Sequence, residues 1–446
     1  MRICIKRKSF LAFVLAILCA LIAVFNAAAD YKCDITLTGI VVLLISVYMI
    51  YRYRNNVGLS ISMLFIFLSN YSIIVGVYFD PSVRPSSMYG QITDVTVYNK
   101  ALTAILLFEL GLMVYSLINM EEQQDSFLLT DKVNSSEEKE IKNTITSVDK
   151  LISIVCLIAF AVIFFSEFSL GESGERASGS PLMEYRCIFF LIGLMYCRND
   201  KLLKKFYLIL LIITSALVFI GGNRANALSP IIVYYVYTSG INNKKRRFFK
   251  LLIVCIIGYV SMIAIGALRT SLFSSGGFDT VINKIFDEKL TFDTAIYAYF
   301  PGLSTISLSD SIDKWQSLLQ HFFYIFVGGA YGQQRFQFIV RQTYFHTYGF
   351  VSPLYFYPWL GVLSGVGLSI IVNFYIKIIK QPSKKGISLY KYGAFLYFCA
   401  MTPRWYLYDP FPLIRGLFVY SIVFAVVYCG YNLITKKHIN YISTEK

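Results

Sequence analysis

The sequence has few charged residues, and this scarcity excludes two broad classes of protein. Asp, Glu, Lys and Arg make up only 15% of the 446 residues, against about 25% in an ordinary soluble domain. Hydrophobic residues make up 56%, and the mean hydropathy is +0.59. A soluble enzyme of two or three domains is therefore excluded. A disordered chain is excluded as well, because disorder requires low hydrophobicity together with high net charge.

Histidine is also scarce, and cysteine follows no metal or disulfide pattern. The three histidines are His321, His346 and His438, and the nine cysteines lie mostly in apolar runs without a C-x-x-C pair. Three histidines cannot build a His-rich metal site. The sequence has neither a D-x-D triplet nor a glycine-rich nucleotide loop. We therefore expect neither a metal nor another cofactor, and we interpret the cysteines as small core residues.

Long apolar runs recur from end to end and predict the fold class. Each run has about 20 residues, enough to cross a hydrocarbon core of ~30 Å. We predict an all-α integral membrane protein with about 12 transmembrane helices. The predicted spans are 9–29, 35–51, 57–79, 101–120, 151–167, 181–197, 204–221, 224–240, 250–268, 352–376, 388–403 and 412–434. The first could be a cleaved signal peptide, but its length favours a retained helix, and 204–240 could be a re-entrant hairpin.

The net charge of +15 is explained by the membrane topology. With both termini in the cytoplasm, the inner segments contain 27 of the 41 Lys and Arg residues. Cytoplasmic loops of membrane proteins carry this excess, so we expect no nucleic-acid partner. The predicted organisation has three parts. Residues 1–268 hold helices 1–9 with an acidic cytoplasmic loop at 121–150, residues 269–351 form a large periplasmic loop, and residues 352–446 hold helices 10–12 and a cytoplasmic tail.

Arginine is enriched on the outer side. It supplies 9 of the 14 outer cations but only 7 of the 27 inner ones. Orientation signals do not distinguish Arg from Lys, whereas a planar guanidinium matches two phosphate oxygens at once. Interfacial anchoring is the alternative explanation for some of these residues. We predict that several converge on a phosphate; the outer arginines are residues 84, 176, 186, 224, 269, 335, 341, 404 and 415.

Four of these arginines lie in suggestive local contexts. Arg224, in GGNRANALSP, is predicted to begin a helix, whose N-terminus would add N–H donors for an anion. Arg269 lies where the ninth span ends, and Arg176 lies in a glycine-rich outer loop. The segment 402–416 is predicted to be an extended outer loop because of its prolines, and it contains Arg404 and Asp409.

The segment 331–358 carries the densest set of candidate sugar-binding residues. It contains Arg335, Arg341, Gln334 and His346, and 322–359 holds fifteen aromatic residues. Aromatic faces stack on the C–H faces of sugars, and amides bind hydroxyl groups. An aromatic belt at the membrane interface explains some of the rings but not the glutamines. His346 lies among arginines, which would favour a neutral imidazole able to act as a base near pH 7.

Two charged residues within spans are predicted to be structural. Arg186 lies one to two turns inside the sixth span, and Glu109 lies near the middle of the fourth. A charge within the membrane usually has a partner. We expect Arg186 to pair with Glu184 or with Glu109.

These features together resemble the O-antigen polymerases, the Wzy-type polymerases of oligosaccharide repeat units. The resemblance rests on the twelve predicted spans, G-N-R at 222–224, the long loop before the tenth span, and H-x-x-G-F…P-L-Y at 346–355. It covers the whole chain by architecture and is specific at these short motifs. The R-x10-G spacing of some members is not matched after Arg269, because Thr280 occupies the glycine position.

The resemblance implies a GT-C-like polytopic glycosyltransferase at the periplasmic face of the bacterial inner membrane. Such an enzyme joins undecaprenyl-diphosphate-linked repeat units into O-antigen or a related surface polysaccharide. It would work in the lipid bilayer beside a flippase and a chain-length regulator. The implied catalytic residues are His346, Arg269 and Arg224, and the implied substrate-binding residues are Arg176, Arg335, Arg341, Arg404, Asp409 and Gln334.

Three other functions stay open at this point. A flippase or transporter of the repeat unit would have as many spans, with charges at mid-membrane and short loops on both sides. An O-antigen ligase would use the same lipid-diphosphate donor. A non-catalytic membrane partner of such enzymes is the third.

Overall fold

The structure is a computed structural model of the full chain. The continuous stretches it describes are 35–79, 94–118, 138–168, 181–197, 200–220, 224–239, 293–327, 349–380, 385–408 and 410–444. Isolated residues between 14 and 25, residues 92 and 291, and isolated residues between 252 and 260 are also described. All statements about the fold refer to these residues.

The described residues are helical and contain no β-strand, which confirms the predicted all-α class for this part of the chain. Six helices are long and apolar enough to cross a membrane, and each overlaps one predicted span. They are Val57–Phe79, Val95–Ile118, Ser147–Glu167, Lys201–Phe219, Tyr357–Lys377 and Phe411–Thr435. Leu37–Arg52 and Tyr185–Tyr196 are shorter apolar helices. The total of twelve spans stays a prediction, since 9–29 and 250–268 fall largely outside the described residues.

The chain divides into two compact units. The first comprises Met1–Asp125, Lys244–Gln381 and Thr402–Arg415. The second comprises Ser126–Asn243, Pro382–Met401 and Gly416–Lys446. Both units are therefore built from segments that are distant in sequence.

The first unit is organised around one deeply buried helix. Its described helices are α1 (Ile35–Arg52), α2 (Val57–Ile73, continued by a π-helix over Ile74–Phe79), α3 (Val95–Ile118), α8 (Asp293–Ser307), α9 (Lys314–Val327), α10 (Tyr357–Leu360), α11 (Ser364–Lys380) and α13 (Thr402–Leu407). Helix α3 packs against α1, α8 and α11. Most of its side chains are buried, as expected for a helix that is apolar all round.

The packing of α3 against α11 depends on small residues. A Cβ atom at Gly365 of α11 would collide with the main-chain carbonyl oxygen of Ala104, and one at Gly111 of α3 would collide with the hydroxyl of Ser369. Small residues at such positions let two membrane helices approach closely. The Asn373 side chain also donates a hydrogen bond of 3.2 Å to the Gly111 carbonyl. The close contact therefore fixes how these two helices meet.

The second unit contains α4 (Glu138–Glu167), α5 (Pro181–Tyr196), α6 (Lys201–Ile220), α7 (Arg224–Ser239), α12 (Lys385–Ala400) and most of α14 (Phe411–Thr444). Helix α4 packs along α5, and α7 packs against α5, α6 and α12. Asp200 caps the start of α6 and forms an ion pair of 2.9 Å with Lys150. The hydrogen bond from Lys150 holds the pKa of Asp200 below its ordinary value.

The predicted periplasmic loop 269–351 contains two helices in its described part. Helix α8 is largely buried and packs against α2 and α3. Helix α9 exposes large apolar side chains, including Trp315 and Phe323. The indole of Trp359 donates a hydrogen bond of 2.8 Å to the Lys314 carbonyl at the start of α9. This part of the predicted loop is therefore integrated with the membrane helices of the first unit.

Candidate functional site

Most of the predicted site residues lie outside the described residues. These are Arg176, Arg269, Gln334, Arg335, Arg341, His346 and Asp409. The structure describes the backbone of Arg224, which begins α7 as the sequence predicted, but not its side chain. Arg404 is described in full.

Arg404 lies in a buried helix, and a second helix begins at Phe411, so the prediction of an extended loop over 402–416 is wrong. All six residues of α13 are buried. Pro403 is the second residue of the helix, where a missing N–H costs no hydrogen bond. The apolar and aromatic side chains of Trp405, Tyr406 and Leu407 then favour burial over an extended course in water.

Helix α13 contacts α2 along its length, at Ser62 and at Asn70. The hydroxyl groups of Thr402 and Ser62 are 2.8 Å apart, and the Tyr406 hydroxyl donates to Asn70 Oδ1 over 2.6 Å. Ser62 and Asn70 belong to the candidate span Val57–Phe79. Arg404, between these two anchors, is only 8% exposed, and its guanidinium carbon lies 5.1 Å from the centre of the Tyr408 ring. This buried arginine is a candidate binding residue because intramembrane cations mark functional sites.

The segment 350–352, at the end of the predicted loop 269–351, also forms hydrogen bonds with α13. The Phe350 N–H donates to the Leu407 carbonyl over 2.6 Å, and the Ser352 hydroxyl donates to the Trp405 carbonyl. The Val351 N–H also donates to the Ala298 carbonyl of α8 over 3.0 Å. The segment that follows His346 in the H-x-x-G-F motif therefore contacts the helix that carries Arg404.

Glu109 is the centre of a buried polar network in the first unit. Its side chain is fully buried, and its Oε1 accepts hydrogen bonds from Ser46 Oγ of α1 over 2.8 Å and from Asn70 Nδ2 of α2 over 2.9 Å. Asn70 in turn accepts the hydrogen bond from Tyr406. The network therefore joins four helices. Arg186 was predicted to pair with Glu184 or with Glu109; the hydrogen bonds described for Glu109 come from Ser46 and Asn70, and the side chain of Glu184 lies outside the described residues.

Arg186 contacts the first turn of α7 in the second unit. Its Nη2 donates to the Asn226 carbonyl over 3.1 Å, and its guanidinium carbon lies 4.8 Å from the Phe164 ring centre and 5.5 Å from that of Phe160. The side chain is 1% exposed. Since Arg224 is the first residue of the same helix, the structure brings Arg186 to the first turn of the helix that begins at Arg224.

Tyr78 contacts both Tyr98 and Tyr299 near the ends of α2 and α3 that the predicted topology places on the outer side. The Tyr78 hydroxyl, in the π-helix, donates to the Tyr98 carbonyl over 3.0 Å and also contacts the Tyr299 hydroxyl of α8. The next residue after Tyr98 is Asn99, which is buried and has neither amide atom hydrogen-bonded within the described part of the chain. Buried polar atoms without partners are rare, and π-helical turns are frequent at functional sites.

Comparison of the chain with known proteins identified no similar protein. Neither the family models, nor the curated proteins, nor the solved structures include a match to this chain. Among the described residues, no group of three or more His, Cys, Asp or Glu side chains is placed to hold a metal ion.

The structure adds candidate residues that the sequence did not single out for binding. Asn70 and Tyr406 carry buried polar contacts. Asn99 is buried with neither amide atom hydrogen-bonded among the described residues, and Arg186 was predicted to be structural. A polar side chain within an apolar run was the available signal for Asn70 and Asn99. No sequence signal links Tyr406 to Glu109, because their helices lie far apart in the chain.

Proposed function

We propose that this protein is a membrane glycosyltransferase that polymerises polyprenyl-diphosphate-linked oligosaccharide units at the outer face of a bacterial inner membrane. The product would be O-antigen or a related surface polysaccharide. The observation that carries the proposal is the contact of buried Arg186 with the first turn of α7, the helix that begins at Arg224. Two arginines at one helix N-terminus supply the charge and the N–H donors that a diphosphate needs.

The reaction transfers a glycan from one lipid diphosphate to another lipid-linked unit. An acceptor hydroxyl attacks C1 of the donor sugar, the C1–O bond to the diphosphate breaks, and the diphosphate leaves with the bonding electron pair. Arg224, with Arg186, would stabilise the negative charge that develops on the leaving group, a role that the resemblance to the polymerases also implies for Arg269. His346 would take the proton from the acceptor hydroxyl. Arg176, Arg335, Arg341 and Asp409 would hold the remaining polar groups of the substrate.

Sugar recognition would use aromatic rings and amides. Asn99 offers a buried amide with an unused donor and acceptor beside Tyr98, which suits a pair of sugar hydroxyls. Gln334 would serve the same purpose in the aromatic segment 331–358. Arg404 lies in the helix that contacts the segment after His346, which supports a role for it in the same substrate pocket.

Transport of the lipid-linked unit is a second candidate function, and Glu109 favours it. A buried carboxyl group within a transmembrane helix is typical of transporters and proton relays. The helices α8 and α9 within the predicted outer loop favour the polymerase, because a transporter would be expected to have short loops on both sides.

Deletion of the gene in its own organism separates these functions. Loss of a polymerase should leave single repeat units on the cell surface, and the wild-type gene should restore long chains. Loss of a flippase should leave the surface without repeat units. Loss of a ligase should leave full-length polymer on its lipid carrier. The proposal requires the first result, and either of the others would overturn it.

A further inference from the structure

Glu109 has the hydrogen-bonding pattern of a neutral carboxylic acid. Both of its donors, from Ser46 and Asn70, reach the same oxygen, Oε1. The other oxygen, Oε2, is buried and has no hydrogen-bond partner within the described part of the chain. In a carboxylic acid one oxygen accepts hydrogen bonds as a carbonyl and the other carries the proton. A carboxylate here would leave a charged oxygen bare, which costs far more than an unpaired hydroxyl.

No described cation compensates a charge on Glu109. Glu109 belongs to α3. The helices that contact α3 or belong to its polar network are α1, α2, α8, α11 and α13. Arg52 donates to the Ser116 carbonyl, Tyr375 donates to the Leu413 carbonyl, Tyr299 bonds to Tyr78, and the Arg404 guanidinium lies near the Tyr408 ring. Tyr406 faces the network as a hydroxyl donor to Asn70. The carboxyl group is therefore surrounded by neutral donors and apolar side chains.

The network connects Glu109 to a short helix. Tyr406 donates to Asn70, whose amide nitrogen donates to Glu109. Thr402, one helical turn earlier, bonds to Ser62. A helix of six residues is not stable by itself, so α13 holds its position through its contacts with α2 together with the hydrogen bonds from Phe350 and Ser352. A displacement of α13 would break the bond to Asn70 and open the burial around Glu109.

We propose that Glu109 is a proton-binding site within the membrane, loaded in this structure and shielded from water by α13. The proton resides on Oε2, and it exchanges with water when α13 separates from α2. A proton fits the site better than a metal ion does, because Ser46 and Asn70 direct hydrogen atoms toward Oε1, and because Glu109 belongs to no group of three or more His, Cys, Asp or Glu side chains among the described residues. The proposal holds for either candidate function and does not depend on the polymerase activity.

Infrared spectroscopy of the purified full chain in lipid nanodiscs tests the loaded state. A protonated carboxyl group gives a carbonyl stretching band that a carboxylate lacks. We expect this band at neutral pH in the wild type and in the control variant Asp200→Asn, which removes an ion-paired carboxyl of the second unit. Glu109→Gln should abolish the band. Ser46→Ala should keep the band but shift it to higher frequency, because the carbonyl loses a donor, and this variant assigns the band without deleting the carboxyl.

Exchange into D2O tests the shielding by α13. Deuteration of the carboxyl group shifts the band to lower frequency, so its rate reports the access of water. Tyr406→Phe removes the hydroxyl that bonds to Asn70 while keeping the ring, and it should accelerate the exchange at least several-fold. Tyr390→Phe removes a hydroxyl that bonds to Ser421 in the second unit and should leave the rate unchanged. A wild type without the Glu109 band overturns the proton site, and equal exchange rates in wild type and Tyr406→Phe overturn the shielding.

Discussion

Arg186 donates a hydrogen bond of 3.1 Å to the main-chain carbonyl of Asn226. This contact joins α5 to the first turn of α7, because Asn226 follows Arg224 by two residues. The guanidinium of Arg186 is buried there. Burial of an arginine is costly unless its hydrogen bonds are satisfied, and two phenylalanine rings also face the group. Such an arrangement fixes the orientation of the guanidinium and of the helix start.

Replacement of these arginines by lysine should impair polymerisation. Lysine keeps the charge but loses the planar fork, so Arg186→Lys and Arg224→Lys should each slow chain growth about 10²-fold. The measurement is the length distribution of surface polysaccharide at equal protein levels. Arg54→Lys, on the predicted inner side, is the control and should give the wild-type distribution. Full-length chains from both test variants would assign Arg186 and Arg224 to structural or anchoring roles.

The predicted base is His346, and its removal should leave binding intact. His346→Ala should slow polymerisation by about 10²- to 10⁴-fold, so cells should display mostly single units. His321→Ala, in the same predicted loop but in an apolar context, should be milder. If His346→Ala polymerises normally while Asp409→Asn or Glu175→Gln does not, the base is a carboxylate. If all three variants polymerise normally, the arginines and substrate positioning carry the reaction.

Gly365 should be intolerant of any side chain. A methyl group there would collide with the main-chain oxygen of Ala104, so Gly365→Ala should force α3 and α11 apart at a cost of about 1–3 kcal/mol. Thermal unfolding in detergent measures the effect. Gly430 in α14 is the matched control, because, apart from its own helix backbone, no described atom lies within 4 Å of a Cβ at that position. Gly430→Ala should be neutral or stabilising, since alanine favours a helix. Equal melting temperatures for the two variants would contradict the close packing.

The topology can be tested at two serines. Reporter fusions at Ser136 and Ser311 should fall in opposite compartments, the first cytoplasmic and the second periplasmic, because the cationic excess lies on the side of residue 136. Activity of both fusions in one compartment would overturn the predicted orientation.

The long spans were predictable because apolar runs reveal them directly. Val57–Phe79 and Val95–Ile118 are each apolar enough to be recognised without tertiary information. Helices α8 and α13 were not predicted, because Pro301 and Pro403 resemble breaks and α13 has only six residues. Their helicity depends on burial against α2 and α3.

The buried network was not predictable for a different reason. Asn70 binds Glu109 and Tyr406, which lie 39 and 336 residues away along the chain. No periodicity links residues so far apart, so only the packed structure reveals the contact. The outer arginines could be singled out by composition, but the convergence of Arg186 on the start of α7 required the packing of α5 against it.

The most direct test of the polymerase is reconstitution. The purified full chain in lipid nanodiscs would be mixed with polyprenyl-diphosphate-linked repeat units, and both the glycan length and the free polyprenyl diphosphate would be measured. The proposed reaction predicts chains of several units, with one polyprenyl diphosphate released for each new linkage, and it predicts a strong loss of both products with Arg224→Lys. Repeat units that stay single, with no polyprenyl diphosphate released by active wild-type protein, would contradict it.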